Sequence, residues 1–358
     1  MSSLLFKGEV IRKDFRLEFD LALPESGITA FFGESGAGKS TLLRTVAGLV
    51  KAENGQIRIG NDIWQDDKQN IFIPTYKRSV GFVFQDAALF PHLTVKKNLE
   101  YGMKRIPLEK RIISLERAVD LLGIGHLLER MPDTLSGGEQ QRTSIARALA
   151  TSPDIMLMDE PLAALDMKRK SEIIPYLTRL NEELKIPILY VSHALEEVSV
   201  LADHLVLLEK GNVIASGKIN DLLTRLDLPL AHYDVAAAVV NGKVIEEDKE
   251  FSLSTILFSG GNMLLPSKNL QVGQNIRLRI QARDVSLTTE KPVNTSILNA
   301  FEATVVNVSE DSGGQVLIEL DAKGTRLLSR ITSKSLNTLK LSTGKPVFAQ
   351  VKGIAVVE

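Results

Sequence analysis

The feature that most constrains this chain is a glycine-rich octapeptide near its N-terminus, Gly33-Glu34-Ser35-Gly36-Ala37-Gly38-Lys39-Ser40. It matches the pattern G-x-x-x-x-G-K-[ST] and lies between an apolar run, 28–32, predicted as a strand, and a run, 41–49, predicted as a helix. In such a loop the glycines let backbone N–H groups face phosphates, the lysine reaches the β and γ oxygens, and the hydroxyl serves Mg²⁺. The spacing therefore predicts a nucleoside triphosphate site that runs from Gly33 through Thr41.

A second motif follows a hundred residues later, Leu135-Ser136-Gly137-Gly138-Glu139-Gln140-Gln141-Arg142. Ser136 with Glu139 three residues on predicts a capping box at the start of a helix. A capped helix start with two glycines is also an anion site, ready for a phosphate presented by another subunit. The two interpretations are compatible. The motif resembles the signature sequence of ATP-binding-cassette (ABC) ATPases.

The remaining motifs of an ABC cassette occur in the expected order. Gln85 follows the apolar run 80–84, Asp159 and Glu160 follow 155–158, Asp166 ends the run 164–166, and His193 follows 188–192. An adjacent Asp-Glu pair is more often simply solvated, and a histidine at a strand end is often only structural, but four apolar residues directly before the acids argue against ordinary solvation.

The resemblance assigns a role to each of these residues. It implies that Asp159, Ser40 and Gln85 hold Mg²⁺, and that Glu160 is the general base for the attacking water. His193 would contact the γ-phosphate, so that Glu160, His193 and Gln85 form the catalytic set.

The same resemblance implies ATP and Mg²⁺ as cofactors and a homodimer of cassettes. Each ATP would lie between residues 33–41 of one subunit and the signature residues of the other, with Asp166 at the same contact. The signature residues involved are Ser136, Gly137, Gly138 and Glu139. Phe15 is a candidate for stacking on adenine, although a core position in a short strand explains it equally well.

Composition limits where such an ATPase works and what it contacts. The 358 residues predict two or three domains, the chain has no cysteine, and no run approaches the about 18 to 20 apolar residues that span a bilayer. The net charge of −1, with both signs interspersed, offers no basic surface for nucleic acid. Transport would therefore need separate membrane subunits, and the resemblance implies that this chain lies peripherally on the cytoplasmic face of the plasma (inner) membrane.

The sequence changes character near residue 230. Before that point strands alternate with helices, which predicts an α/β P-loop cassette, 1–230, with a parallel or mixed sheet and a helical subdomain. Short β-rich runs separated by turn residues follow, which predicts an all-β, OB-like barrel. We divide this tail into a linker with a first barrel half, 231–291, and a second half, 292–358.

The tail contains an apparent internal repeat. Four residues recur 71 positions later with the same spacing: Gly273, Ile276, Ile280 and Val285 match Gly344, Val347, Val351 and Val356. A duplicated barrel half explains this match. Alternating β sequences also produce such matches by accident.

Two stretches of the tail, 295–306 and 349–357, resemble the opening and the close of a Mop domain, a molybdate-binding β-barrel. Such domains hold tetrahedral oxyanions with hydroxyl, N–H and lysine groups, which Ser296 and Lys352 could supply. Relatives often have arginine where this chain has Leu298, so a barrel kept only for dimerisation is an open alternative.

Runs within the cassette, 80–92, 175–177 and 188–193, resemble those of molybdate import ATPases. The resemblance covers essentially the whole chain and implies two integral-membrane permease subunits and a periplasmic or extracellular molybdate-binding protein as partners. Importers of sulfate, iron, polyamines or sugars share the cassette and remain an alternative. A soluble, non-transport ABC ATPase and an oxyanion sensor with a relic cassette are the other two.

Overall fold

The computed structural model describes residues 4–266, 270–310 and 312–357. It divides into two compact units, Met1–Gly217 and Lys218–Glu358. Each unit has its own hydrophobic core and is described by itself.

The first unit combines strands and helices, and the two alternate over residues 155–209. Its strands are β1 (Leu4–Arg12), β2 (Phe15–Leu23), β3 (Ile28–Phe32), β4 (Glu53–Ile59), β5 (Asp62–Asp66), β6 (Ile71–Phe72), β7 (Val80–Val83), β8 (Ile155–Asp159), β9 (Ile188–Val191), β10 (His204–Glu209) and β11 (Asn212–Lys218). Its helices are α1 (Lys39–Val46), α2 (Val95–Met103), α3 (Leu115–Leu121), α4 (Gly137–Leu149), α5 (Met167–Leu184) and α6 (Leu195–Leu201).

All eleven strands form one mixed sheet in the order β6-β5-β4-β1-β2-β11-β10-β3-β9-β8-β7. The neighbours β10, β3, β9, β8 and β7 run parallel, whereas β1, β2, β4, β5 and β6 are joined by antiparallel ladders. Helices cover parallel strands on both faces, so these strands are apolar throughout. β3, β8 and β9 are buried along their whole lengths. The predicted α/β cassette fold is confirmed.

The parallel strands divide the core of this unit between their two faces. In β8, Ile155 and Leu157 belong to the core that includes α1, while Met156 and Met158 belong to the core under the helical subdomain. Successive side chains of a strand point to opposite faces, so the residue after Met158 returns to the α1 side. That residue is Asp159.

The helix after the glycine-rich loop begins and ends earlier than predicted. It spans Lys39–Val46 instead of 41–49, because Gly38 caps its start in the left-handed region with φ of 104° and Gly48 ends it with φ of 78°. Only glycine adopts such angles without steric cost, so both ends are encoded by single residues.

Arg78 joins the end of α1 to the antiparallel strands. Its side chain is 6% exposed, and Nη1 donates to the carbonyl oxygens of Thr45 at 3.2 Å and Val46 at 2.6 Å. Nη2 donates to the carbonyl of Trp64 at 3.3 Å, and the guanidinium carbon lies 5.5 Å from the centre of that indole ring. Burial lowers the pKa of Arg78 to about 10. The guanidinium thus donates to two C-terminal carbonyls of α1, and that of Thr45 also accepts from the Gly48 N–H at 3.0 Å.

The second unit is built of antiparallel strands, with one short helix near its start and one near its end. Its strands are β12 (Ala237–Asp248), β13 (Leu253–Phe258), β14 (Gly261–Pro266), β15 (Asn275–Gln281), β16 (Val285–Thr288), β17 (Asn299–Glu310), β18 (Gln315–Ala322), β19 (Thr325–Thr332), β20 (Pro346–Val351) and β21 (Ala355–Val357). Its helices are α7 (Ile219–Leu222) and α8 (Ser333–Leu339). The predicted all-β tail is confirmed.

The strands of this unit form two five-stranded sheets with matching topology. Their orders are β14-β13-β12-β15-β21 and β19-β18-β17-β20-β16. β12 to β16 are therefore the counterparts of β17 to β21, except that the last strand of each copy pairs with the other copy's sheet. β16 pairs with β20, and β21 pairs with β15. The two copies complete each other's sheets by exchanging a strand.

Hydrogen bonds repeat between the two copies as well. The N–H of Gly273 donates to the carbonyl of Val244 at 2.8 Å, and the N–H of Gly344 donates to that of Val305 at 2.8 Å. Each of these valines is followed by a bulge in its strand, before Glu246 in one copy and before Asn307 in the other. The sequence repeat thus corresponds to a structural one; of its eight residues, the Val356 side chain lies outside the described part.

We expect Arg78→Ala to lower the free energy of unfolding of the first unit by about 3 kcal/mol, because the carbonyls of Val46 and Ile73 lose the guanidinium as a donor and Trp64 loses its packing. Trp64 is the only tryptophan of the chain, so tryptophan fluorescence during urea denaturation reports on this unit. Lys77→Ala, at the neighbouring exposed residue, is the control and should change stability by less than about 0.5 kcal/mol. Equal urea midpoints for the two variants would contradict this account.

Candidate nucleotide-binding site

Two glycines allow the loop between β3 and α1 to fold tightly. At Gly33, with φ of 154°, a Cβ atom would lie 2.1 Å from the carbonyl oxygen of Leu208. At Gly38, with φ of 104°, it would lie 2.9 Å from Cζ of Phe15. Neither position can hold a larger residue without displacement, so Gly33 and Gly38 are required by this loop itself.

The N-terminus of α1 is open to an anion. Gly38 provides no side-chain cap and the first turn contains no acidic residue. The first N–H groups of a helix lack intrahelical partners and carry the positive end of the helix dipole. They are therefore available to a phosphate.

Lys39 is buried at this helix start, with 4% of its surface exposed. Its Nζ donates to the carbonyl oxygens of Gly33 at 2.8 Å and Glu34 at 2.7 Å. Burial lowers the pKa of the ammonium, and the carboxylates of Glu160 and Asp159 oppose this shift. The positive charge is thus held at the loop by carbonyl dipoles and by two acids from the neighbouring strand end.

Ser40 and Asp159 meet where α1 passes the end of β8. Ser40 Oγ donates to Asp159 Oδ1 at 2.6 Å, and Asp159 is 6% exposed. The other carboxylate oxygen lies 3.6 Å from Nη2 of Arg44, one helical turn after Ser40. Asp159 is therefore positioned by a hydroxyl and a guanidinium from the same face of one helix.

This pair has the chemistry that Mg²⁺ selects. Magnesium prefers oxygen ligands, keeps several waters and takes only one or two protein carboxylates. A serine hydroxyl beside a buried aspartate meets that description. Gln85, the third predicted ligand, lies just after β7 with an exposed side chain, and within the described residues no hydrogen bond joins it to Ser40 or Asp159. No cluster of three or more His, Cys, Asp or Glu residues suited to a metal was found in the described ranges.

Glu160 and His193 form a second polar pair beside the loop. His193 Nδ1 lies 3.1 Å from Glu160 Oε2. Glu160 has φ of 47°, an unusual value outside glycine, and its N–H donates to the carbonyl of Val191 at 3.1 Å. This conformation directs a carboxylate, 22% exposed, away from the end of β8 and toward the histidine after β9. A carboxylate so placed can accept a proton from water.

A cleft of about 390 Å³ lies over the glycine-rich loop. Its walls comprise Arg12, Phe15, Ser35, Gly36, Gly38, Lys39, Ser40, Thr41 and Glu160. The structure thus brings together the loop, the predicted base and the candidate stacking residue Phe15. Asp159 and His193 touch members of this group without lining the cleft.

The signature motif forms the predicted helix start. Ser136 caps α4, with its Oγ accepting from the Glu139 N–H at 3.3 Å, and Glu139 Oε2 accepts from the Ser136 N–H at 2.7 Å. The latter bond lowers the pKa of the Glu139 carboxyl. The predicted capping box is confirmed. Residues 136–139 are not among those that line the described cleft.

Asp166 caps the next helix. Its Oδ1 accepts from the N–H of Arg169 at 2.9 Å at the start of α5. The side chain of Leu165 packs against Gly137, where a Cβ atom would lie 3.3 Å from Leu165 Cδ2. The aspartate motif and the signature motif are therefore neighbours within one chain.

In the tail, Ser296 and Lys352 are both exposed. The pairing of β17 with β20 ends at Asn299 and Val351, so both residues lie just beyond the same end of this ladder. Leu298, 63% exposed, lies there too.

Sequence analysis missed Arg12, which lines the cleft, and Arg44, which contacts Asp159. It also missed the buried ion pair of Lys170 with Glu197. The position of Arg44, four residues after Ser40 on a predicted helix, was a usable signal. The sequence contains no such signal for Lys170 and Glu197, since charged residues at helix positions usually face water. No helix in the described part of the chain is long and apolar enough to cross a membrane.

Comparison with known proteins agrees with this geometry. The model of the family "ABC transporter" matches residues 17–163, and that of the "TOBE domain" matches residues 295–357. The chain is 51% identical to the molybdenum import ATP-binding protein ModC of Albidiferax ferrireducens over 356 residues, which covers 99% of this chain and 96% of that protein. It is 54% identical to the protein of the same name from Pseudomonas syringae pv. tomato over 347 residues, 96% of each chain.

Among solved structures, the chain is similar to cbiO1 from Clostridium perfringens, part of the ABC transporter complex cbiONQ. The TM-score is 0.54 with 26% identity, over 62% of this chain and 90% of that chain. The similarity is therefore confined to part of the present chain.

Proposed function

This chain belongs to the ABC transporter family of molybdenum import ATP-binding proteins, and we propose that it hydrolyses ATP to drive molybdate or tungstate uptake. One observation carries the proposal. Lys39, Ser40, Asp159 and Glu160 meet at one strand end, in a chain more than half identical to such proteins over almost its whole length.

Different residues of the site bind the phosphates, accept the proton from water and contact adenine. The loop N–H groups and Lys39 bind the phosphates, and the Lys39 ammonium exchanges its loop carbonyl partners for β and γ oxygens. Glu160 accepts a proton from the attacking water, and His193 orients Glu160 through the 3.1 Å contact. Phe15 provides an apolar face for adenine beside Gly38.

The donor set beside the loop fits Mg²⁺. Ser40 and Asp159 would hold it, and Gln85 is the third proposed ligand. The ion would neutralise the β and γ oxygens during phosphoryl transfer. Arg44 keeps the Asp159 carboxylate oriented through the ion pair at its other oxygen.

We propose that two cassettes associate head to tail around two ATP molecules. Ser136, Gly137, Gly138 and Glu139 would meet the nucleotide held by the partner's loop, with Asp166 beside them. The exposed position of Ser136 at the capped start of α4 supports this, since the N-terminus of a helix favours an anion. ATP would then close the dimer and hydrolysis reopen it.

The chain acts as a subunit of an importer. As partners we propose two integral-membrane permease subunits and, through them, a periplasmic or extracellular molybdate-binding protein. The chain would lie on the cytoplasmic face of the inner membrane and would not bind nucleic acid.

The transported ion is tested with the reconstituted importer. We expect ATP hydrolysis to rise with molybdate- or tungstate-loaded binding protein and to remain basal with sulfate-, iron-, polyamine- or sugar-loaded homologues. Stimulation by one of the latter alone would assign the chain to that importer. Hydrolysis that no permease or binding protein affects would favour a soluble ATPase.

We expect Glu160→Gln to leave ATP binding intact and to lower the turnover of the importer about 10²- to 10⁴-fold, because only the general base is lost. Steady-state phosphate release measures this. Glu53→Gln, at an exposed strand residue of the same unit, is the matched control. Turnover of Glu160→Gln close to that of the control would rule out Glu160 as the base.

We expect Ser136→Arg to abolish hydrolysis while the isolated chain binds ATP normally, because the added bulk and charge block the partner's γ-phosphate. Thr134→Arg, at an exposed residue two positions earlier, is the control. Nucleotide titration of the chain at low concentration separates the two effects. A loss of affinity in step with activity would place the motif in the nucleotide site of its own chain.

For the tail we propose a regulatory oxyanion site with Ser296 and Lys352 as ligands. Both lie at one end of the β17–β20 ladder, which supports the proposal. A barrel that serves dimerisation alone is the alternative.

We expect Leu298→Arg to tighten molybdate binding by the full chain about ten- to hundredfold, since arginine adds a charge-assisted and potentially bidentate donor beside Lys352. Lys352→Ala should weaken binding. Calorimetry with the native chain and both variants measures the affinities. The absence of heat at millimolar molybdate for both the native chain and Leu298→Arg would leave dimerisation as the role of the barrel.

A further inference from the structure

A buried carboxylate lies directly behind the Glu160–His193 pair. Glu197, on α6, is 6% exposed. Its Oε2 accepts from Tyr190 Oη at 3.0 Å and from Ser192 Oγ at 2.9 Å, and its Oε1 accepts from Lys170 Nζ at 2.7 Å. We call these four residues the Glu197 cluster.

The cluster holds the turn that presents His193. Tyr190 and Ser192 are two residues apart on an extended segment, so both hydroxyls face α6. Ser192 Oγ also accepts from the Ala194 N–H at 3.0 Å, which braces the backbone on both sides of His193. The position of the imidazole therefore depends on the position of the Glu197 carboxylate.

The carboxylate in turn depends on Lys170. A buried carboxylate is tolerated only with a partner charge and hydrogen bonds, and the lysine supplies the charge with 16% of its side chain exposed. Burial first, and the Glu197 carboxylate next, raise the pKa of Tyr190, so the phenol remains a donor. Loss of the lysine would leave two neutral hydroxyls to compensate a buried negative charge.

Lys170 belongs to the first turns of α5, which also contact the signature motif. Its N–H donates to the carbonyl of Asp166, the helix cap, at 2.9 Å. Leu165 packs against Gly137, and a Cβ atom on Gly137 would lie 3.7 Å from Nη1 of Arg169. One helix start thus meets the signature helix through Leu165 and Arg169, and the His193 turn through Lys170.

We propose that the Lys170–Glu197 ion pair is a positioning link that couples the signature motif of a chain to its own Glu160–His193 pair. When the signature motif engages the partner's nucleotide, a displacement of the α5 start would shift Lys170 and with it Glu197. Glu197 would in turn shift Ser192 and the turn that presents His193. The two nucleotides of the dimer would thereby influence each other's hydrolysis. This inference rests on the proposed function of the two motifs.

The test uses ATP hydrolysis by the reconstituted importer, measured over a range of ATP concentrations. We expect Lys170→Met and Glu197→Gln each to lower kcat by up to about 100-fold, because misplacement of a catalytic group by about 1 Å can cost that much. The Hill coefficient for ATP should fall toward one. ATP binding by the isolated chain should stay unchanged. Lys170→Arg, which keeps the charge, should restore much of kcat and cooperativity.

The double variant and the controls separate coupling from structural damage. Lys170→Met with Glu197→Gln should be no more impaired than either single variant, because both remove one link. Lys168→Met and Glu196→Gln repeat the substitutions at neighbouring residues outside the cluster and should behave as the native chain. Should Glu197→Gln fail to fold, the two Lys170 variants still decide the question.

His193→Ala, in the same assay, separates this inference from the proposed function. An inactive His193→Ala beside native kcat and cooperativity in Lys170→Met would overturn the link alone. Native activity of His193→Ala would overturn the role of His193 itself. A fall in kcat without loss of cooperativity, or independent effects in the double variant, would also overturn the coupling.

Discussion

The burial of one ammonium group, Nζ of Lys39, is the constraint on which the first unit depends. A cation with 4% exposure is stable only if dipoles and opposite charges surround it. The carbonyl oxygens of Gly33 and Glu34 supply the dipoles, and the acids at the end of β8 supply the charge. The tight glycine loop and the strand that ends in acids are thus both needed to stabilise the buried ammonium.

The alternation of side chains along β8 and β9 then decides which neighbours the polar residues at their ends contact. Asp159 faces α1, where Ser40 and Arg44 hold it, and Glu160 leaves the strand in a left-handed conformation that directs it toward His193. In β9 the same alternation sends Tyr190 and the following Ser192 toward Glu197. The contacts of Asp159 and those of the Glu197 cluster therefore lie on different faces of two adjacent strands.

The second unit shows how a duplicated sequence forms one body. Each copy contributes its last strand to the other copy's sheet, so that β16 completes one sheet and β21 the other. The exchanged strands pair with β15 and β20, whose edges would otherwise be open to unwanted pairing. One hydrophobic core includes residues of both copies, which joins the halves further.

The sequence by itself determined the elements whose signals are local. The loop 33–40, the cap at Ser136 and the apolar run before Asp159 each require only neighbouring residues, and the structure contains all three as predicted. The repeat was also visible, because equal spacing needs no knowledge of contacts. Only the tertiary structure revealed the exchanged strands, the contact of Arg44 with Asp159 and the burial of Glu197 with Lys170. These features join residues distant in sequence or on different helices, and a charged side chain shows its burial only when its partner is known.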